Sequence, residues 1–194
     1  ELELDDQPSG LGWLPDGRLL VVAMKQRAVK RLEPSGLVLH ADISHLTAHL
    51  CNDMVVDAQG SAWIGNFGFD LDSALKARGM DVLLDHPVTN LVRVDADGSV
   101  HLAAANMHFP NGSVITPDGK TLIVAETLAN CLSAFTINPD KSLSNRTVWA
   151  PLPGVAPDGI CLNEGGQVWV ANAIGPEVLL IAKGGEVVQR VATT

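Results

Sequence analysis

Apolar residues fall along this chain in short runs, each bounded by turn-forming residues. The clearest are Leu19-Leu20-Val21-Val22, Thr121-Leu122-Ile123-Val124 and Val168-Trp169-Val170. Runs of this length, rich in β-branched and aromatic residues, predict strands. Each follows a shorter apolar-rich segment, such as Ser113-Val114-Ile115 or Ile160-Cys161-Leu162, across a turn like Thr116-Pro117-Asp118-Gly119. There Pro and Gly supply the dihedrals of a tight reversal. A third strand is expected at Leu91-Val92-Arg93-Val94 and at Cys131-Leu132-Ser133-Ala134-Phe135. A second turn, Asp97-Gly98 or Gly184-Gly185, leads to a fourth, as in Val100-His101-Leu102 or Val187-Val188. Four antiparallel strands every ~45 residues predict an all-β fold built of β-propeller blades. The Trp-Asp dipeptide of the WD repeat is absent, which disfavours that class.

The blades also share a motif. Without gaps, Pro8-Ser9-Gly10, Cys51-Asn52-Asp53, Pro110-Asn111-Gly112 and Pro157-Asp158-Gly159 align. The second residue of each lies eight positions before a turn glycine: Gly17, Gly60, Gly119 and Gly166. A bulky apolar residue follows three positions later, at Leu20, Trp63, Leu122 and Trp169. The second residues recur at spacings of 43, 59 and 47, so repeats start near 8, 51, 110 and 157 of a single partial-propeller domain over 1–194. The longest spacing places an insertion at 70–89, with a helical turn or two over Asp72–Gly79. A long insertion on a compact repeat suits a binding loop or lid.

In a blade the second strand ends where the first began. Asn52 is therefore expected to share a rim with Asn66 and Asp70, Asn111 with Glu126, and Asp158 with Asn172. First strands line a propeller's channel, so Asn52, Asn111 and Asp158 would converge as a ring of side-chain oxygens. Oxygen donors suit a hard divalent cation, Ca²⁺, Mg²⁺ or Mn²⁺, which polarises a carbonyl and activates water. The plainer alternative is that Asn-Gly and Asp-Gly are turn dipeptides. Against it, Ser9 fills the same slot, and the turn is already supplied eight residues on.

Composition narrows the classes. With 46% hydrophobic and 18% charged residues, the chain can bury a core. A net charge of −9, with sparse Lys and Arg, argues against nucleic acid and favours a cationic cofactor. No apolar run approaches a membrane span, and no signal-peptide pattern opens the chain. Cys51, Cys131 and Cys161 are expected as buried free thiols, which gives a cytoplasmic expectation. The chain opens on Glu1 and not Met, which leaves a removed leader open.

Asn52-Asp53-Met54-Val55-Val56-Asp57 with Gly60 and Trp63, then Phe109-Pro110-Asn111-Gly112, then Ala156-Pro157-Asp158-Gly159-Ile160 with Trp169-Val170-Ala171 resemble the senescence-marker-protein/gluconolactonase/regucalcin-like family. Its members are six-bladed propellers that hydrolyse sugar lactones and related esters. The resemblance implies that Asn111 and Asp158 bind the metal, that Asp158 is also the general base, and that Asn52 contacts substrate. Asp70 falls, on a looser alignment, where the family has an acidic substrate contact. The cofactor implied is Ca²⁺ first, with Mg²⁺, Mn²⁺ or Zn²⁺ as alternatives, and the partner is a small lactone or ester.

Two departures stand out. The family's first-blade metal-binding Glu, in a Pro-Glu-Gly-like motif, has no counterpart here, because Pro8-Ser9-Gly10 matches the second blade. The chain therefore reads as blades two to five of six, an open arc. Leu50 also stands where the family has a basic substrate contact, with His49 beside it as an expected surface residue. His108, Glu126 and Asn172 are rim candidates, whereas Trp63 and Trp169 are expected in the core. The leading expectation is a metal-dependent lactonase. A non-catalytic metal- or ligand-binding propeller and an inactive fragment without the first-blade ligand stay open beside it.

Overall fold

The computed structural model describes residues 3–193. Its strands form four antiparallel four-stranded sheets, each in simple up-and-down order, the blades of a β-propeller. The chain divides into two compact units, 1–109 and 110–194.

Unit 1 holds two blades. The first is β1 (Pro8–Trp13), β2 (Leu19–Ala23), β3 (Ala28–Glu33) and β4 (Gly36–Asp42). The second is β5 (Cys51–Val56), β6 (Ala62–Asn66), β7 (Thr89–Val94) and β8 (Val100–Met107). Alternation along the strands sends Leu20, Val22, Val29 and Ala41 of one blade against Met54, Ile64, Val92 and Val94 of the other, forming one buried cluster. A polar clasp fastens the blades further out. Arg31 Nη1 donates to His40 Nδ1 at 2.9 Å, and His40 Nε2 donates to the Asp95 carbonyl at 3.3 Å. Guanidinium can only donate, so His40 is neutral with its proton on Nε2.

Unit 2 repeats the plan with β9 (Pro110–Ile115), β10 (Thr121–Glu126), β11 (Cys131–Ile137) and β12 (Leu143–Pro151), then β13 (Pro157–Leu162), β14 (Val168–Asn172), β15 (Glu177–Ile181) and β16 (Val187–Ala192). Its core joins Ile123, Leu132 and Trp149 to Val168, Val170, Leu179 and Ile181. The first turn of every blade is closed by its glycine, with φ of 86°, 87°, 70° and 76° at Gly17, Gly60, Gly119 and Gly166. Trp63 is fully buried, while Trp169 is half-buried. Cys51 and Cys131 are buried, but Cys161 is exposed, against expectation. Strand alternation explains it: Ile160 and Leu162 turn to the core cluster, so Cys161 takes the opposite face.

The insertion after β6 is an eight-residue helix, α1 (Leu71–Arg78), followed by a 3₁₀ segment, Gly79–Leu83. No residue of α1 is buried, and Val82 alone of the 3₁₀ segment is. Among the described residues no helix is long and apolar enough to cross a membrane.

Candidate functional site

The repeated motif turns out to be a β-bulge, not a turn. In all four blades the residues in slots two and three oppose a single residue of the second strand. Pro8 pairs with Ala23 and Leu11 with Val21, so Ser9 and Gly10 share Val22. Asn52-Asp53, Asn111-Gly112 and Asp158-Gly159 sit in equivalent register shifts. A bulge bends its strand and re-aims its side chains, a device common beside functional sites.

At Gly10 and Gly112 the third slot is glycine for space and not for dihedral angle. A Cβ on Gly112 would lie 2.5 Å from the Asp158 carbonyl oxygen and 2.6 Å from the Ile160 nitrogen. A Cβ on Gly10 would lie 2.4 Å from the Met54 nitrogen. The bulged start of one first strand thus lies backbone to backbone against the next, β1 on β5 and β9 on β13. In unit 1 this brings two slot residues into contact, with Ser9 Oγ donating to Asn52 Oδ1 at 3.3 Å. Asn52 is buried, at 9% exposure.

In unit 2 the same approach joins Asn111 to the start of β13. Asn111 is 4% exposed, and its Nδ2 donates to Thr127 Oγ1 at 3.1 Å. The Thr127 hydroxyl in turn donates to the Pro157 carbonyl at 2.8 Å, one residue before Asp158. The Asp158 carboxylate is half-buried and makes no hydrogen bond or ion pair with any described residue. An amide and a carboxylate without a described partner, carried on adjoining bulges, are donor types that suit a hard divalent cation. Among the described residues no three His, Cys, Asp or Glu side chains converge as a metal site, so this pair offers one carboxylate only. Thr127 carried no signal in the sequence, because its role depends on the contact between β9 and β13.

The rim candidates are placed differently. The second strand of each blade does end beside the first residue of its motif, pairing Asn66 with Cys51, Glu126 with Pro110 and Asn172 with Pro157. These polar ends are spent on the fold. Asn66 accepts from Thr89 Oγ1 and donates to the Asn90 carbonyl, at 2.5 and 2.7 Å. Glu126, 1% exposed, accepts from Ser133 and is bridged by Arg146 Nη2, at 2.8 and 2.9 Å. Asn172 accepts from the Ala156 and Ile174 nitrogens and donates to Glu177. Each anchors the strand that follows it. Glu126 is a buried counter-charge to Arg146, and such a pair leaves no carboxylate lone pair cheaply available.

Asp70 caps α1, accepting from Ser73 nitrogen at 3.0 Å and Ser73 Oγ at 2.7 Å. Those two bonds hold its carboxyl below the usual carboxylate range. It borders a cleft of about 500 Å³ in unit 1, shared with His49, Leu50, Phe67 and Asp72. His108 instead ties the insertion down: its Nδ1 lies 3.0 Å from His86 Nε2, while His86 Nδ1 donates to the Leu83 carbonyl at 3.2 Å. His86 was missed, since a lone histidine in a loop carries no pattern.

Burial, and then Arg31 and His108 respectively, depress the imidazolium forms of His40 and His86. Both take their proton more readily when unfolded, where the ordinary value is about 6.5. The unfolded state then binds more protons below that pH, so their contribution is intact above about 6.5 and is lost as pH falls towards the lower folded values. Tm is expected to drop between pH 7.5 and 5.5, and His40→Asn to flatten that slope. An unchanged slope in the variant would show that the clasp does not carry it.

A family model of the SMP-30/gluconolactonase/LRE-like region matches residues 2–194. The chain belongs to that family. Among curated relatives, a diisopropyl-fluorophosphatase from Loligo vulgaris is 29% identical over 63% of this chain and 40% of its own length. A gluconolactonase structure from Xanthomonas campestris superposes with a TM-score of 0.75 at 24% identity, covering 99% of this chain and 64% of that one. A calcium-binding protein, regucalcin, from Agrobacterium tumefaciens gives 0.77 at 22%, covering 98% and 61%. The chain thus spans less than two thirds of the length of each. At such identities the structural likeness shows the fold.

Proposed function

We propose that the chain serves a metal-dependent hydrolase of the gluconolactonase type, which opens a sugar lactone or related ester. One observation carries this reading: the bulges of β9 and β13, which meet backbone to backbone, carry the Asn111 amide and an Asp158 carboxylate that bonds to no described residue. Family membership and the relatives' named activities support it.

A divalent cation held by Asn111 Oδ1 and Asp158, Ca²⁺ before Mg²⁺, Mn²⁺ or Zn²⁺, would supply Lewis-acid polarisation of the ester carbonyl. The chain's own groups do the rest. Asp158 accepts on a carboxylate oxygen the proton that water releases as it adds to the carbonyl carbon, and gives it to the ring oxygen as the acyl C–O bond breaks. Thr127 holds the Asn111 amide by its nitrogen and so restrains its rotation. Asn52 and Asp70 are the substrate contacts of unit 1 in this reading.

The test is hydrolysis of an aldonolactone followed by pH-stat titration. Chelation with EDTA is expected to abolish turnover and one of the four cations to restore it. Cation binding without turnover would favour the binding-propeller alternative.

A further inference from the structure

Among the described residues, one hydrogen bond ties the stretch 70–88 to the rest of the chain, and both of its partners are imidazoles. His86 Nε2 lies 3.0 Å from His108 Nδ1, with the rings edge to face at 80°. Little else holds the insertion down. Val82 is its one buried residue, and the His86 ring stacks on Phe69 with centroids 6.3 Å apart.

The tautomers follow from the partners. His86 Nδ1 donates to the Leu83 carbonyl, so His86 Nε2 bears the lone pair and His108 Nδ1 the proton. A first added proton goes to His108 Nε2 and leaves the bond in place, now charge-assisted. A second must go to His86 Nε2. Two N–H groups on two cations then face each other, and attraction becomes repulsion.

The surroundings do not offset this. Asp85 favours a charge on His86, but Arg78 of α1 already bonds the Asp85 carbonyl and carboxylate, at 3.0 and 3.3 Å. Phe69 brings only its ring. Burial, and then His108, depress the His86 imidazolium against the opposing pull of Leu83, Val82 and Asp85.

We propose that the His86–His108 pair is an acid-released latch, which holds the insertion down near neutral pH, survives one proton and lets go at the second. Release frees α1, whose first residues Leu71 and Asp72 wall the cleft of unit 1. The inference rests on the two rings and the insertion, and stands whether or not the protein is a lactonase. Its sign is fixed by linkage. The latched pair takes its second proton below the ordinary value of about 6.5, whereas the two separated rings each titrate near it. Acid therefore favours the open insertion, increasingly as pH falls below about 6.5.

Hydrogen–deuterium exchange, corrected for the intrinsic pH dependence of the chemistry, tests the latch. A helix of eight residues is marginal on its own, so the amides of α1 report whether it is docked. Their protection is expected to fall about tenfold between pH 7.5 and 5.0, the worth of one hydrogen bond, and by more than that of β10. In His108→Asn the side-chain amide can donate to His86 Nε2 or accept from it and never charges, so the fall in α1 should vanish. His86→Leu should leave α1 poorly protected at both pH values, with β10 reporting that the fold is intact. Constant protection of α1 in the unaltered protein, a fall no greater than that of β10, the same fall in His108→Asn, or full protection in His86→Leu would each overturn the proposal.

Discussion

Asp158→Ala is expected to lower kcat/KM for a sugar lactone by about 10³-fold or more. Loss of a general base alone costs about 10²–10⁴-fold, and this residue is also proposed as a metal ligand. Asp158→Asn separates the two roles, since the amide keeps an oxygen for the cation but cannot accept the proton. It should retain much of the cation affinity while losing turnover. Stability should hardly change in either variant, within about ±0.5 kcal/mol, because the carboxylate has no described partner to lose. Full activity in Asp158→Asn would remove the base from this position. A collapse of Tm would show that the side chain is structural.

Gly112→Ala is expected to be among the most damaging single methyls in unit 2. The added Cβ meets backbone atoms of Asp158 and Ile160 at 2.5 and 2.6 Å, and no rotamer relieves a clash with backbone. Overpacking of this kind costs about 1–3 kcal/mol, a large part of the roughly 5–15 kcal/mol that holds a domain together. The site should suffer as well, since β9 must move away from β13 and take Asn111 with it. Gly159→Ala is the control: it occupies the same slot of the next blade, but its Cβ would meet nothing within 4 Å. Denaturant midpoints should fall clearly in the first and stay in place in the second. Similar losses in both would mean that the slot needs glycine for its dihedral angle, not for close approach.

The strands, the turn glycines and the repeat were legible in the sequence because each is written locally, in runs of a few residues and in Pro-Asp-Gly chemistry. The helix over 71–78 was legible for the same reason, with Gly79 at its end. The bulge was not. It exists only in the register between two strands, where Asn111 and Gly112 together face Ala125, and no window along the chain reports register. Blade geometry correctly placed Glu126 and Asn172 beside the motif, but not whether their polar atoms were already taken. Arg146, which occupies Glu126, lies two strands away in the sheet. Thr127 and His86 act through contacts 30 and 22 residues distant, so neither shows as a motif. Cys161 was misplaced because apolar neighbours suggest burial, whereas strand alternation decides the face.

In the proposed site Asn111 and Asp158 together hold a divalent cation. A crystal structure of the protein grown with millimolar calcium chloride tests it most directly. One ion is expected at about 2.3–2.6 Å from both Asn111 Oδ1 and an Asp158 carboxylate oxygen, with waters filling its remaining positions. Calcium bound elsewhere, or these two side chains turned apart with no ion between them, would contradict it.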